Sequence, residues 1–420
     1  MSSPHEVMSQ PISGQAAHSV PRASMPVWIR IVPAIGACLV LVCLRVRTVR
    51  WPLPLHDFMT YWIAGKLFLT GANPYSTTGM FAVERSLGWQ SAPLVLLNPP
   101  WALPFVALLA ALPFNIAHCL WWGLSLILEV VCLTALWKYF GGEAGKQWIA
   151  VFLALTFLPA GTAELMGQIT PLMLAALTAF LLLLRRRRDI LAGFCLIGVG
   201  FKPHLLYLVL LAIILWTVQS RRWKIAVATA STYAVATLGT IAFNHNVLDY
   251  LHNTQQAALD TACGVGGELR SLFGVQLVWL QFLPTLVGIV WFAFYWRKHR
   301  KTWIWEQRIP TLLLVSIATS PYCWAHDYIL TLPAFVSLAV GLSKTRTNWF
   351  APSICYLTVQ IVIFSPHHTK AGLATLSLLW LLFYWGVDHF FCRNQTTGSA
   401  ASSPLTAPAY RSQASPAAQS

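Results

Sequence analysis

Apolar runs follow one another along this chain with almost no charge inside them, and that pattern limits the fold more than any other feature. Candidate spans fall at 27–46, 94–112, 115–137, 148–163, 169–184, 190–201, 204–219, 225–243, 275–296, 309–320, 328–343, 349–365 and 371–391. Crossing a hydrocarbon core of roughly 30 Å takes about 20 apolar residues in a helix. Only 10% of the 420 residues are charged and 57% are hydrophobic. So few charges cannot cover a water-soluble globule, whereas lipid solvates apolar side chains directly. The expected fold is all-α, a polytopic membrane bundle of about 10–13 transmembrane helices. Spans well under full length must tilt, break or sit inside the protein.

The net charge is +15. The cations gather in short clusters between the apolar runs: Arg185–Arg188, Arg221 to Lys224, Arg297 to Lys301, and Lys344 with Arg346. Cytoplasmic loops carry this signature. A nucleic-acid binder needs a contiguous basic face, and none is present. With the basic clusters inside, the segments 164–168, 202–204, 244–274, 321–327 and 365–370 fall together on the opposite, external side. The front half alternates only if one segment between 94 and 163 fails to cross. The breaks at Asn98-Pro99-Pro100 and at Pro159-Ala160-Gly161 are the two suspects.

Three regions follow: a polar tail at 1–26, a membrane domain at 27–393, and an Ala-, Ser- and Pro-rich tail at 394–420. Both tails are expected to be disordered. The run at 27–46 reads as a retained first helix and not as a cleaved leader. Nine cysteines are scattered without a CxxC spacing, so the sequence indicates neither a metal site nor a disulfide framework.

The long first external loop contains a predicted helix from His56 to Leu69, closed by Gly71 and Asn73-Pro74. Phe58, Trp62 and Ile63 share one face and Asp57 and Tyr61 another, so this helix is expected to lie at the membrane interface. Asp57, beside His56, could simply favour the helix start electrostatically. It could equally be a general base that takes a proton from a hydroxyl.

Three further clusters are candidates. Tyr322, His326 and Asp327 sit at the mouth of an apolar span, where a His-Asp pair is costly unless partnered. Lys202 and His204 flank Pro203; Lys202 is either a snorkelling lysine or a counter-ion for a lipid phosphate. Gln168 lies in the polar break after Gly167, which reads as a plain turn or as the edge of a cavity. Arg270 adds a cation on the same side. No Walker loop, GxSxG elbow, HExxH or dinucleotide fingerprint is present. No DxD pair offers a metal-bound nucleotide sugar, so a lipid-phosphate donor fits better than a soluble nucleotide.

In order along residues 50–335, the pieces Asp57-Phe58-x-x-Tyr61-Trp62, Gly71-Ala72-Asn73-Pro74-Tyr75, Asn98-Pro99-Pro100, Leu112-Pro113, Gly167-Gln168, Lys202-Pro203 and Ser320-Pro321-x-x-Trp324-x-His326-Asp327 resemble one family. They are similar to the polyprenol-phosphate-mannose-dependent mannosyltransferases of glycosyltransferase family 87, within the C-type superfamily. The resemblance implies a C-type-like bundle in the cell membrane with its active site on the periplasmic face. It implies a polyprenyl-phosphate-linked sugar as donor, a lipid or glycan hydroxyl as acceptor, inversion at the sugar carbon, and no cofactor or metal. The family's catalytic aspartate falls on Asp57, its late histidine on His326, and its Lys-Pro element on Lys202. His56, Tyr61, Gln168, His204, Arg270, Tyr322 and Asp327 are then the expected substrate contacts. Two departures stand out: Tyr61-Trp62 where the family often has two tyrosines, and His326-Asp327 where it often has two histidines. The alternatives are a transporter or flippase of lipid-linked sugars and a glycan polymerase or ligase.

Overall fold

A computed structural model describes residues 56–253 and 263–344, with Tyr356, Leu357, Gln360, Leu379, Leu381 and Leu382 beyond them. Among the described residues there are helices and turns and no strand. The chain is an all-α, polytopic membrane bundle. In lipid a helix satisfies every backbone N–H and C=O within its own segment, so the apolar runs have no better option.

The helices are α1 (His56–Leu69), α2 (Thr77–Ser86), α3 (Leu103–Ala110), α4 (Phe114–Tyr139), α5 (Trp148–Thr156), α6 (Leu158–Met166), α7 (Thr170–Arg185) and α8 (Asp189–Val199). They continue as α9 (Tyr207–Gln219), α10 (Trp223–Phe243), α11 (Tyr250–Asn253), α12 (Val265–Phe273), α13 (Leu283–His299), α14 (Trp305–Ala318) and α15 (Leu332–Lys344). Prolines in the first turn, where no N–H is needed, start α3, α6, α7 and α13. Ser76 caps α2, its hydroxyl accepting the Gly79 N–H at 3.1 Å.

The described helices differ in length. Among the described residues four are long and apolar enough to cross a membrane, at Phe114–Tyr139, Trp223–Phe243, Val278–Thr302 and Ala325–Lys344. A fifth follows if α5 and α6 count as one span, bent by 49°. The chain breaks at both suspected places, although the second interruption falls at Phe157 and Pro159-Ala160-Gly161 itself belongs to the first turn of α6. After Asn98 the chain makes a 3-10 turn at Pro100–Ala102, and α3 has only eight residues. At 1.5 Å per residue that is about 12 Å, far short of the membrane. The expected run at 27–46, the run at 349–365 apart from Tyr356, Leu357 and Gln360, the run at 371–391 apart from Leu379, Leu381 and Leu382, and both tails lie outside the described residues.

The predicted helix at His56–Leu69 forms with those bounds. It is buried on more sides than a surface-lying helix would be: Phe58, Tyr61, Ile63, Ala64 and Phe68 are all inside. Gly65 permits this, because a Cβ there would sit 2.8 Å from the Ala110 Cβ and 2.9 Å from the Val106 carbonyl oxygen. The α1 and α3 backbones thus cross in close contact.

The two ends of the bundle differ in chemistry. At one end, Arg185 donates to the Tyr139 carbonyl at 3.0 Å, Lys146 to the Ser343 carbonyl at 2.7 Å, and Gln219 to the Arg300 carbonyl at 2.7 Å. Arg222 pairs with Asp189 there. The basic clusters around residues 185–188, 221–224 and 297–301 therefore gather on one side. At the other end, Asn73 donates to Asp249 at 2.6 Å, Asn244 to the Ala72 carbonyl at 2.6 Å, and Asn98 to the Phe201 carbonyl at 3.1 Å. This polar end holds the candidate site.

Candidate active site

Four separate segments bring the site together: α1, the α6–α7 turn, the α8–α9 turn, and the 3-10 run Ala325–Thr331 that leads into α15. On α1 the spacing of four residues puts Asp57 and Tyr61 on one face. The Tyr61 hydroxyl donates to Gln168 Oε1 at 3.2 Å. Burial, with the Asp57 and Asp327 carboxylates nearby, holds the Tyr61 phenol well above its ordinary pKa. It therefore acts as a neutral hydrogen-bond donor.

Gln168 is aimed by the residue before it. Gly167 ends α6 in the left-handed region, with φ 67°. A Cβ at Gly167 would lie 2.3 Å from the Phe58 Cβ. Only glycine lets α1 approach this turn and adopt its backbone without strain. The Gly167 carbonyl also accepts the Trp121 indole N–H at 3.0 Å. Gly167→Ala is expected to cost about 2–4 kcal/mol, from overpacking plus the left-handed penalty. Thermal unfolding in detergent checks this, and an unchanged midpoint would contradict the close approach.

Lys202 enters from the α8–α9 turn. Two side chains brace that turn: Trp101 donates to the Gly200 carbonyl at 3.1 Å and Asn98 to the Phe201 carbonyl. Pro203 keeps the helix from continuing. The Lys202 ammonium donates to Gln168 Oε1 and to Asp327 Oδ1, each at 2.8 Å. It also lies 5.9 Å from the centre of the Trp324 ring. An ammonium has three N–H donors, and the third has no partner among the described residues.

Asp327 is fully buried. Its Oδ1 takes Lys202 and lies 3.6 Å from His326 Nε2, while its Oδ2 accepts the Trp324 N–H at 2.9 Å. One carboxylate thus orients the lysine, the histidine and the start of the 3-10 run. Taking two ions out of water costs several kcal/mol each. Such pairs inside membrane proteins mark functional sites more often than structural ones.

Aromatic rings close the site. Trp324 stacks on His326 with centroids 6.0 Å apart and planes 18° apart. The His204 ring lies 4.0 Å from Tyr322, which in turn lies 5.2 Å from Trp324. Burial pushes His204 down to about 3, against the opposing pull of Asp327. His204 is therefore a neutral imidazole. Burial likewise raises the Tyr322 phenol. The Nε2 atoms of His204 and His326 are buried and have no hydrogen-bond partner among the described residues. Asp57 is half-buried, and its carboxylate acts electrostatically on both Tyr61 and His326.

Asp57, Tyr61, Gln168, Lys202, His204, Tyr322, His326 and Asp327 thus converge. The Arg270 guanidinium donates to Gln281 Oε1 at 2.8 Å and to the Val275 carbonyl at 3.1 Å, tying α12 to the segment after it. The backbone of His56 opens α1, and its side chain lies outside the described residues. The sequence reading gave no role to Trp324, or to Asn98 and Trp101 as braces. In a chain with 20 tryptophans an indole carries little signal by itself. Among the described residues no three His, Cys, Asp or Glu side chains are grouped so as to hold a metal ion.

The family model for glycosyltransferase family 87 matches residues 96–321, more than half of the chain. The match takes in the braces, Gln168, Lys202 and His204, and borders the run that carries His326 and Asp327. No curated protein and no solved structure matches the chain. A bundle of apolar helices with a buried polar centre, together with that match, makes this a membrane glycosyltransferase, and the chain belongs to glycosyltransferase family 87.

Proposed function

We propose that the protein transfers a hexose, mannose by resemblance, from a polyprenyl-phosphate-linked donor to a hydroxyl of a lipid or glycan. The reading also sets the enzyme in the cell membrane with its site on the periplasmic face, away from the basic loops. One observation carries it: a buried, oriented ammonium at Lys202 next to two imidazoles with unused Nε2 positions, and a carboxylate, Asp57, within electrostatic reach of the same centre. The cation and imidazoles suit phosphate oxygens, while the carboxylate suits an alcohol proton.

The reaction is a single displacement. Asp57 takes the proton of the acceptor hydroxyl, whose oxygen attacks the anomeric carbon. The bond from that carbon to the phosphate oxygen breaks, and the electron pair leaves on the polyprenyl phosphate. Lys202 receives that charge through its third N–H, with His326 and His204 able to donate from Nε2. Asp327 and Gln168 hold the ammonium in place, and Tyr61 links Gln168 to α1. Attack opposite the leaving group inverts the anomeric centre.

Purified protein incubated with radiolabelled polyprenyl-phosphate-mannose and a lipid extract is expected to yield a labelled product. The product should still form in EDTA, since side chains neutralise the leaving phosphate. Consumption of no donor, in the presence of a full lipid extract, would reject the donor assignment.

A further inference from the structure

The fold brings together two cysteines that stand far apart in sequence. Among the described residues Cys119, Cys132 and Cys195 sit in the apolar helices α4 and α8. Cys263 and Cys323 differ, because both lie at the polar end of the bundle. Cys263 leads into α12, and Cys323 stands in the turn just before Trp324, His326 and Asp327.

The Cys323 N–H donates to the Cys263 carbonyl at 3.2 Å. A single backbone bond of this kind keeps the two Cα atoms within about 7 Å of each other. A disulfide is built across Cα separations of roughly 4.4–6.8 Å. The Cys263 thiol is also within electrostatic reach of that of Cys323. The backbone between them is shaped for close contact. Gly264 turns at φ 90°, and a Cβ there would lie 3.3 Å from Cys323 Sγ. Gly266 lies so close to the next turn that a Cβ would be 2.9 Å from the Pro321 carbonyl oxygen.

We propose that Cys263 and Cys323 form an intrachain disulfide that staples the loop leading into α12 to the turn carrying His326 and Asp327. The inference rests on the reading that the polar end faces the oxidising exterior, where disulfides persist. The oxidant is a disulfide, of a protein or a small molecule. The Cys263 thiolate attacks one of its sulfurs, forming a mixed disulfide and releasing one thiol. The Cys323 thiolate then attacks Cys263 Sγ and releases the second thiol. Two electrons and two protons pass to the oxidant, and one S–S bond is gained in the protein. In the folded chain burial pushes the Cys323 thiol up to about 12. Closure therefore occurs as the chain folds, while Cys323 still meets water.

The test traps thiols with an alkylating reagent in intact cell envelopes, before extraction, and maps the peptides by mass spectrometry. A cross-linked pair containing Cys263 and Cys323, lost after reduction, is expected. Cys263→Ser should abolish it and lower the unfolding midpoint by roughly 5–10 °C. Both thiols alkylated without a reductant would overturn the proposal. A Thr78→Cys reporter on exposed α2, labelled from outside by a membrane-impermeant maleimide, separates the two claims. A labelled reporter with both native thiols alkylated rejects the disulfide and leaves the transferase reading intact. An unlabelled reporter rejects the external placement itself.

Discussion

Asp57→Asn is expected to abolish sugar transfer while the protein still folds and extracts as the wild type does. The amide keeps the size of the carboxylate and cannot take a proton. General-base catalysis is worth about 10²–10⁴-fold, so the loss should reach that range. Folding should survive because Asp57 is only half-buried and occupies the first turn of α1, where its charge stabilises the helix by about 0.3–1 kcal/mol. Donor binding should persist, since the cation and both imidazoles are untouched. Initial rates with labelled donor, beside a thermal melt, check both halves. Wild-type turnover in this variant would remove Asp57 from the chemistry.

Lys202→Met is expected to act more widely, on stability and on turnover together. Removing one partner of a buried ion pair leaves the other charge uncompensated, at about 3–5 kcal/mol. Asp327 is fully buried, and Lys202 is 8% exposed. The second substitution separates the two roles. In Lys202→Met with Asp327→Asn the stranded charge is gone, so the unfolding midpoint should recover much of its loss. Transfer should not recover, because no cation meets the leaving phosphate. A double variant that regains both stability and turnover would show the pair to be structural only. One that regains neither would place the main effect in packing around Trp324.

Much of the site could be read before the fold was known. Asp57 and Tyr61 are four residues apart on a predicted helix whose bounds match α1. Lys202 and His326 are rare polar residues at the edges of apolar runs, where lipid makes an idle charge expensive. The partnership of Lys202 with Asp327 was not readable. It joins residues 125 positions apart, and no local periodicity records such a contact. The sequence offered Asp327 as a substrate contact, where the fold makes it the partner of Lys202. Arg270 shows the opposite limit. Its charge was readable, but not the nearby Val275 carbonyl and Gln281 side-chain oxygen that engage it. The interruptions within the runs 94–112 and 148–163 were marked only by their prolines, because hydropathy measures how apolar a run is. It does not measure how a proline or a bend shortens the helix built from it.

Gln168 Oε1 is a single atom that accepts from both Tyr61 and Lys202. In the proposed mechanism, the half of the centre assigned to the alcohol and the half assigned to the departing phosphate are therefore mechanically joined through one carbonyl. An incoming alcohol that tilts α1 would draw on that oxygen and loosen or tighten its grip on the lysine. Neither half can be re-tailored for a new substrate in isolation, because any exchange at position 168 is felt on both sides at once.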